Sequence, residues 1–175
     1  MKSALVPALL IAAILPGCQT IDEASRETMA HATLRLANGS PAGTARLLAS
    51  GNQMTISVTL IGIGQGTHRL HLSATGSCET ADLTSPGSQI NLSDYERGPE
   101  NPQAPHLGNV PNTLVDGSGT GSVSATLAGE TEEVLSQVFD EDGTAIIVHA
   151  TADDDPIDTA SNSSSRIACG EFTRN

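Results

Sequence analysis

An alternating segment in the first third of the chain constrains the fold most strongly. In MTISVTLIGI, residues 54–63, the even-numbered positions from Met54 to Leu60 are apolar and the intervening positions carry hydroxyl groups. This two-residue period is typical of a strand with one buried face. Residues 32–39 and 43–50 have a similar strand-like pattern of apolar and polar residues, and glycine-containing turns separate the three segments. Three strands at this spacing predict an antiparallel sandwich or barrel.

The remainder of the chain is also predicted to be mostly strand and loop. Sequence patterns typical of strands occur at 67–74, 112–115, 121–127, 144–150 and 166–172, and residues 130–137 form the one short helix candidate. Residues 66–112 are rich in proline and glycine, and residues 151–165 are polar and acidic. Long loops inside a compact domain are usually functional. The sequence therefore predicts an all-β domain with two long loops.

The N-terminal residues have the features of an export signal. An apolar run over 4–15 is too short for a comfortable membrane span and leads into Leu-Pro-Gly-Cys at 15–18. This pattern is typical of a bacterial lipoprotein cleavage site, with Cys18 acylated; the alternative is an ordinary signal peptide cut nearby. We predict a signal peptide at 1–17, a tether at 18–31 and one domain at 32–175. Gln19, in place of an aspartate, favours lipid anchoring at the periplasmic side of the outer membrane.

Charge and cysteine content restrict the partners and the compartment. A formal net charge of −12 argues against binding to nucleic acid or to anionic lipid headgroups. If Cys18 is lipidated, Cys78 and Cys169 remain, and an exported pair predicts a disulfide. Closing a loop of about 90 residues is worth roughly 4–5 kcal/mol in the chain-entropy model. No CxxC or Cys/His spacing supports a metal site at these thiols.

Five segments of the sequence resemble one known family. They are HRLHLSATGSC, SPGSQIN, NPQAPHLGNVPN, DEDGTAIIVHATADD and NSSSRIACG. Together they are similar to the bacterial copper,zinc superoxide dismutases over roughly residues 30–172. The resemblance implies an eight-stranded antiparallel Greek-key β-barrel, a metal-binding loop held by the cysteine bridge, and a second, electrostatic loop.

The resemblance assigns family roles to single positions. Of the four copper histidines, His71 and His149 match the first and fourth, while Ser73 and Gln89 stand at the second and third. On the zinc side Arg97 and Asn109 replace a histidine and an aspartate, and His106 matches a histidine. Arg166 matches the arginine that guides superoxide, Asp153 matches the carboxylate that links the two metal sites, and His68 matches a buried structural histidine.

These departures bear on the chemistry. Copper(II) prefers an array of imidazole nitrogens, and the serine hydroxyl and the carboxamide oxygen are poor substitutes. A structural zinc needs four ligands, so zinc is not expected to bind; copper is expected at low occupancy at most. Two interpretations of Arg97 stay open: it replaces zinc as a structural cation and pairs with Asp153, Asp94 or Glu96, or it points to solvent.

The retained residues have plainer interpretations as well. His71 and His149 can be kept for mutual packing rather than for a metal. His106 can be a hydrogen-bonding residue of the loop, and Arg166 can brace the loop instead of steering an anion.

Three functions follow from these alternatives. The first is a non-enzymatic envelope relative with a structural or binding role, and the sequence identifies no protein or small-molecule partner for it. The second is a copper-dependent dismutase that uses a reduced ligand set. The third is a periplasmic copper-binding module. No other catalytic set is evident, since the sequence contains no Gly-x-Ser-x-Gly elbow and no phosphate-binding loop.

Overall fold

The computed structural model describes residues 26–79, 83, 85–90, 107–152 and 166–175. The elements are, in chain order, β1 (Glu27–Leu36), β2 (Pro41–Ser50), β3 (Gln53–Ile61), β4 (Gly66–Ser73), β5 (Asn109–Val115), β6 (Thr120–Glu130), α1 (Thr131–Val138), β7 (Ala145–His149), β8 (Arg166–Glu171) and β9 (Thr173–Arg174). The all-β prediction and the short helix near residue 130 are confirmed.

The eight long strands form a single antiparallel sheet that curls into a nearly closed barrel. Their order is β5-β4-β7-β8-β1-β2-β3-β6, and the two-residue β9 adds to β1. At the seam, β6 approaches β5 so closely that a Cβ atom at Gly121 would lie 2.7 Å from the Leu114 carbonyl oxygen. Only glycine tolerates this approach, so the barrel closes where residue 121 lacks a side chain.

The barrel interior is largely aliphatic. The alternating residues of β3, Met54, Ile56, Val58 and Leu60, are fully buried and pack in one cluster with residues of the other strands. The helix α1 adds Val134 and Val138 to this cluster. A second, smaller cluster lies outside the barrel wall and consists of Leu83, Ala145, Ile147 and Cys169, with Cys78 packed against it.

Strand β1 begins earlier than the sequence analysis indicated. It starts at Glu27, inside the range 18–31 that was assigned to the tether. The reason is burial, because Ala30 lies in the core and residues 30–31 pair both with β2 and with β9. The predicted signal peptide and the lipidation site at Cys18 lie outside the described residues.

Candidate functional site

Two histidines meet on the outward face of β4 and β7. The side chains of His71 and His149 are both almost completely buried, and their ring centroids are 5.0 Å apart. His71 Nδ1 and His149 Nε2 are separated by 3.1 Å, so one ring nitrogen donates to the other. The pairing of β4 with β7, which matches His71 to Ile147, brings the two rings together.

His68 fixes the backbone beneath this pair. Its Nδ1 lies 2.8 Å from the His149 carbonyl oxygen, and its Nε2 lies 2.8 Å from the Gly64 carbonyl oxygen. Both ring nitrogens therefore contact main-chain oxygens and face away from the His71 ring. This geometry agrees with a structural role for His68.

Main-chain hydrogen bonds hold part of the long loop along β4. The amide of Ile90 donates to the Leu72 carbonyl (2.9 Å), and the Leu72 amide donates to the Gly108 carbonyl (3.0 Å). The Ala74 amide donates to the Ser88 carbonyl (2.9 Å), and Gln89 forms an isolated bridge with Ser73. The loop is thereby placed so that Gln89 stands beside the outward face of β4.

The polar residues at three positions where the family has ligands are bonded within the protein. The Ser73 hydroxyl lies 3.1 Å from the Ala145 carbonyl oxygen and 3.2 Å from the Thr75 carbonyl oxygen. Gln89 Nε2 donates to Asn109 Oδ1 over 2.7 Å. These groups are engaged as hydrogen-bonding partners of their neighbours.

Arg69 completes this network, and the sequence analysis did not single it out as a site residue. Its Nη2 donates to Gln89 Oε1 over 2.8 Å, while the other end of the Gln89 amide contacts Asn109. The side chain is 9% exposed. Its position in the sequence could have indicated this, because Arg69, His71 and Ser73 share one face of the predicted strand.

Arg166 is anchored to the long loop. Its Nη1 donates to the Leu83 carbonyl oxygen (3.1 Å) and its Nη2 donates to the Gly87 carbonyl oxygen (2.6 Å). The side chain is buried, and the residue pairs with His149 across β7 and β8. These contacts brace the loop, and the match of Arg166 to the arginine that guides superoxide stays a prediction.

The predicted disulfide between Cys78 and Cys169 is confirmed. The two Cα atoms are 5.8 Å apart, and the bridge spans 91 residues of sequence. Glu171 adds a second tie at the same place, since its Oε1 accepts a hydrogen bond from the Cys78 amide (2.7 Å). The bridge therefore fastens the start of the long loop to β8.

The residues of the site fit a family zinc ion poorly. In the described ranges, no three or more His, Cys, Asp or Glu side chains are grouped so that they could hold a metal. Gln89 and Asn109 bond to each other, and carboxamides are weak zinc donors. Arg97, His106 and Asp153 lie outside the described residues, so the predicted pairing of Arg97 with Asp153, Asp94 or Glu96 stays a prediction.

The fit to copper is partial. Two imidazole nitrogens 3.1 Å apart suit a hydrogen bond, and two metal–nitrogen bonds of about 2.0 Å meeting at about 100° would span the same distance. The other two family positions hold Ser73 and Gln89, both engaged in hydrogen bonds. The pair therefore supplies two imidazole nitrogens of the four-histidine set to which copper binds in the family pattern.

Comparisons with known proteins identify the family. The model of the copper/zinc superoxide dismutase (SODC) family matches residues 41–172, so the chain belongs to this family. A "Superoxide dismutase [Cu-Zn] 2" of Aquifex aeolicus is 30% identical over 149 residues, which cover 83% of this chain and 87% of that protein. A "Superoxide dismutase-like protein YojM" of Bacillus subtilis is 35% identical over 107 residues, covering 60% and 55% of the two chains.

Solved structures support the same assignment. A crystal structure of a SOD-like protein from Bacillus subtilis matches with a TM-score of 0.66 and 28% identity, covering 81% of this chain and 96% of that one. A double mutant of a SOD-like protein from the same organism, with a tyrosine and a proline each changed to histidine, matches with a TM-score of 0.65 and 27% identity, covering 81% and 95%. The predicted superoxide dismutase-like barrel is therefore confirmed.

The described part of the chain contains no helix of sufficient length and apolar character to cross a bilayer.

Proposed function

We propose that this chain is a non-enzymatic relative of the copper/zinc superoxide dismutases with a binding or structural role. The observation that carries the proposal is the Arg69–Gln89–Asn109 network, which uses the hydrogen-bonding groups of two ligand positions within the protein. Dismutation needs a metal that cycles between two oxidation states and leaves a position open for superoxide. A site with two imidazoles and a neighbouring guanidinium is poorly suited to hold one.

The electrostatics of the site support the same proposal. Arg69 brings the positive charge of its guanidinium into the network beside His71. A dication placed there would be repelled by this charge in surroundings that water screens weakly. The loss of metal ligands and the added cation both lower the affinity of the site for a metal ion.

Metal content and turnover of one sample test the proposal. The mature domain is loaded with copper and zinc, desalted, and assayed for bound metal and for superoxide consumption. We expect less than about 0.1 metal per chain and no turnover above free buffer; near one copper per chain, with turnover lost in His149→Ala, would contradict the proposal. A matched control restores the family residues by Ser73→His, Gln89→His, Arg97→His and Asn109→Asp, and should gain metal.

A second candidate is favoured by the His71–His149 distance. Because 3.1 Å also suits two bonds to one metal, the pair could hold copper without the remaining ligands. With turnover the protein would be a dismutase with a reduced ligand set, and without turnover it would be a copper-binding module of the envelope. Stoichiometric copper that disappears in His71→Ala, with no superoxide consumption, would select the module.

We further propose that the protein is lipid-anchored in the bacterial cell envelope through Cys18, on the periplasmic side of the outer membrane. The support is the Leu-Pro-Gly-Cys sequence after an apolar segment of signal-peptide length. In cells fed labelled palmitate, the wild-type chain should carry label and fractionate with outer membranes. Cys18→Ser should carry none, whereas Cys78→Ser should retain it; label in Cys18→Ser would contradict the anchor.

A further inference from the structure

Arg69 is a buried cation whose charge is not balanced by its surroundings in the described part of the chain. Its side chain is nine-tenths buried, and the one hydrogen-bond acceptor of its guanidinium among the described residues is the neutral Gln89 Oε1. A guanidinium offers five N–H donors in a planar fork. One amide oxygen engages one of them, so among the described residues no carboxylate balances the charge and several donors have no acceptor.

Such an arrangement is costly unless something compensates it. Burial of a charge without an opposite charge is unfavourable, and natural proteins pair such groups or bind a counter-ion at them. The Gln89 oxygen is itself held in place, since the same amide donates to Asn109. The network therefore orients the guanidinium but does not neutralise it.

The neighbouring strands add positive charge to the same place. Leu70 pairs with Val148, and the Arg69 amide donates to the Thr151 carbonyl oxygen (3.2 Å), so Arg69 lies close to His149 at the end of β7. His149 pairs in turn with Arg166 on β8. Two arginines thus flank one histidine on the outward face of a protein whose formal net charge is −12. A local cationic site with low-dielectric walls concentrates small anions from solution.

We infer that Arg69 anchors a binding site for a small oxyanion, beside the His71–His149 pair. The inference rests on the proposed metal-free function, of which it specifies the binding role. The chemistry is that of a guanidinium fork, which donates two parallel N–H bonds to two oxygens of one carboxylate or phosphate group. Gln89 is the positioning residue, because its amide sets the orientation of the fork.

The test measures anion binding to the metal-free domain. The EDTA-treated protein is titrated with inorganic phosphate and, separately, with formate, at constant ionic strength set with chloride. The readouts are the melting temperature and the Nε–H NMR signal of Arg69. At a phosphate concentration a hundred times Kd we expect a rise in melting temperature on the order of 5–10 °C.

The variants separate binding from general salt effects. Phosphate stabilises many proteins by exclusion from their surface, so a control must carry the same loss of charge elsewhere. Arg46→Gln provides it, because Arg46 is exposed on β2. We expect Arg46→Gln to respond like the wild type, Arg69→Gln to lose the anion-dependent rise, and Arg69→Lys, which keeps the charge but not the fork, to bind at least about tenfold more weakly.

Two results would overturn the inference. One is an equal response of the wild type and Arg69→Gln to both anions; the other is an Arg69 Nε–H signal that neither anion moves. If Arg69 only braced the loop, Arg69→Gln would lower the melting temperature by the same amount with and without anion. A response to formate alone, lost in Arg69→Gln, would support the site and assign it to carboxylates. Metal uptake by the wild type would contradict the proposed function without altering these anion readings.

Discussion

Gln89 Nε2 donates a hydrogen bond to Asn109 Oδ1 over 2.7 Å, which joins the long loop to β5 through two neutral amides. In the family pattern these two positions hold a bridging imidazole and a zinc-bound carboxylate. The pair thus occupies both positions with groups that satisfy each other. The same Gln89 amide accepts a hydrogen bond from Arg69 through its Oε1.

Removal of the Gln89 amide should destabilise the protein more than removal of the Asn109 amide. Gln89→Ala breaks the side-chain hydrogen bonds to Arg69 and Asn109 and leaves the buried Arg69 without its acceptor, so we expect a loss of about 2–3 kcal/mol. Asn109→Ala breaks one contact at an exposed residue and should cost about 1 kcal/mol or less. Urea unfolding of metal-free protein measures both, and Gln53→Ala, at an exposed position of β3, is the control. Equal losses in all three variants would contradict the network.

Arg69 should oppose metal binding even when the family ligands are restored. In the variant with Ser73→His, Gln89→His, Arg97→His and Asn109→Asp, the additional change Arg69→Gln should raise copper affinity at least about tenfold. The reason is removal of a fixed like charge near the metal, where about 1.4 kcal/mol corresponds to a factor of ten. Competition with a copper chelator measures the affinity. Adding Arg46→Gln instead should leave it unchanged, and a similar gain from both additions would show a general charge effect.

The turn between β5 and β6 should make stability depend on pH in the acidic range. Hydrogen bonds from the Ser118 hydroxyl, and then from the Ser118 and Thr120 amides, hold the pKa of Asp116 below its ordinary value. A carboxyl whose pKa is lowered by folding stabilises the folded state above the unfolded pKa, near 3.9, and this contribution is lost as pH falls through the folded pKa.

The matching experiment compares melting temperatures at two pH values. Asp116→Asn should melt below the wild type at pH 7, and the difference should shrink as the pH is lowered below about 4. Glu27→Gln removes one negative charge from an exposed position and serves as the control. A difference between Asp116→Asn and wild type that stays constant from pH 7 to pH 3 would contradict the role of the ionised carboxyl.

Loss of the disulfide should lower stability substantially. The bridge closes a loop of 91 residues, and removal of such a bridge typically costs about 2–5 kcal/mol. We expect Cys78→Ser with Cys169→Ser to shift the guanidinium chloride midpoint to lower concentration, and dithiothreitol to reproduce that shift in the wild type. If dithiothreitol also shifted the midpoint of the double variant, the bridge would not be the cause.

The strands were predictable because the hydrophobic period directly reports which face is buried. Residues 54–60 illustrate this, since their alternation reappears as full burial of Met54, Ile56, Val58 and Leu60. The start of β1 was misjudged because Ala30 is small and Glu27, Thr28 and His31 are polar. Only the pairing of this segment with β2 and β9 makes it a strand.

The site was predictable in part. The resemblance placed Gln89 and Asn109 at ligand positions, but their mutual hydrogen bond depends on how the loop lies against β4 and β5. The role of Arg69 was not predicted for the same reason. A lone arginine in a strand ordinarily points to solvent, whereas Arg69 is buried because the loop packs over it. How a loop packs over a strand is a long-range contact, which local sequence periodicity does not report.

The loop beside β4 is held through the main-chain atoms of residues 72, 74, 88, 90 and 108. None of these bonds involves the side chain of residue 89, so the identity of that side chain can change while the loop keeps its course. Gly108 allows the two segments to lie this close, because a Cβ atom there would lie 2.8 Å from the Ile90 carbonyl oxygen and 2.9 Å from Gln89 Cγ. One substitution at position 89 can therefore alter what the site attracts while the backbone of the loop stays in place, at the cost of the hydrogen bonds that Gln89 makes with Arg69 and Asn109.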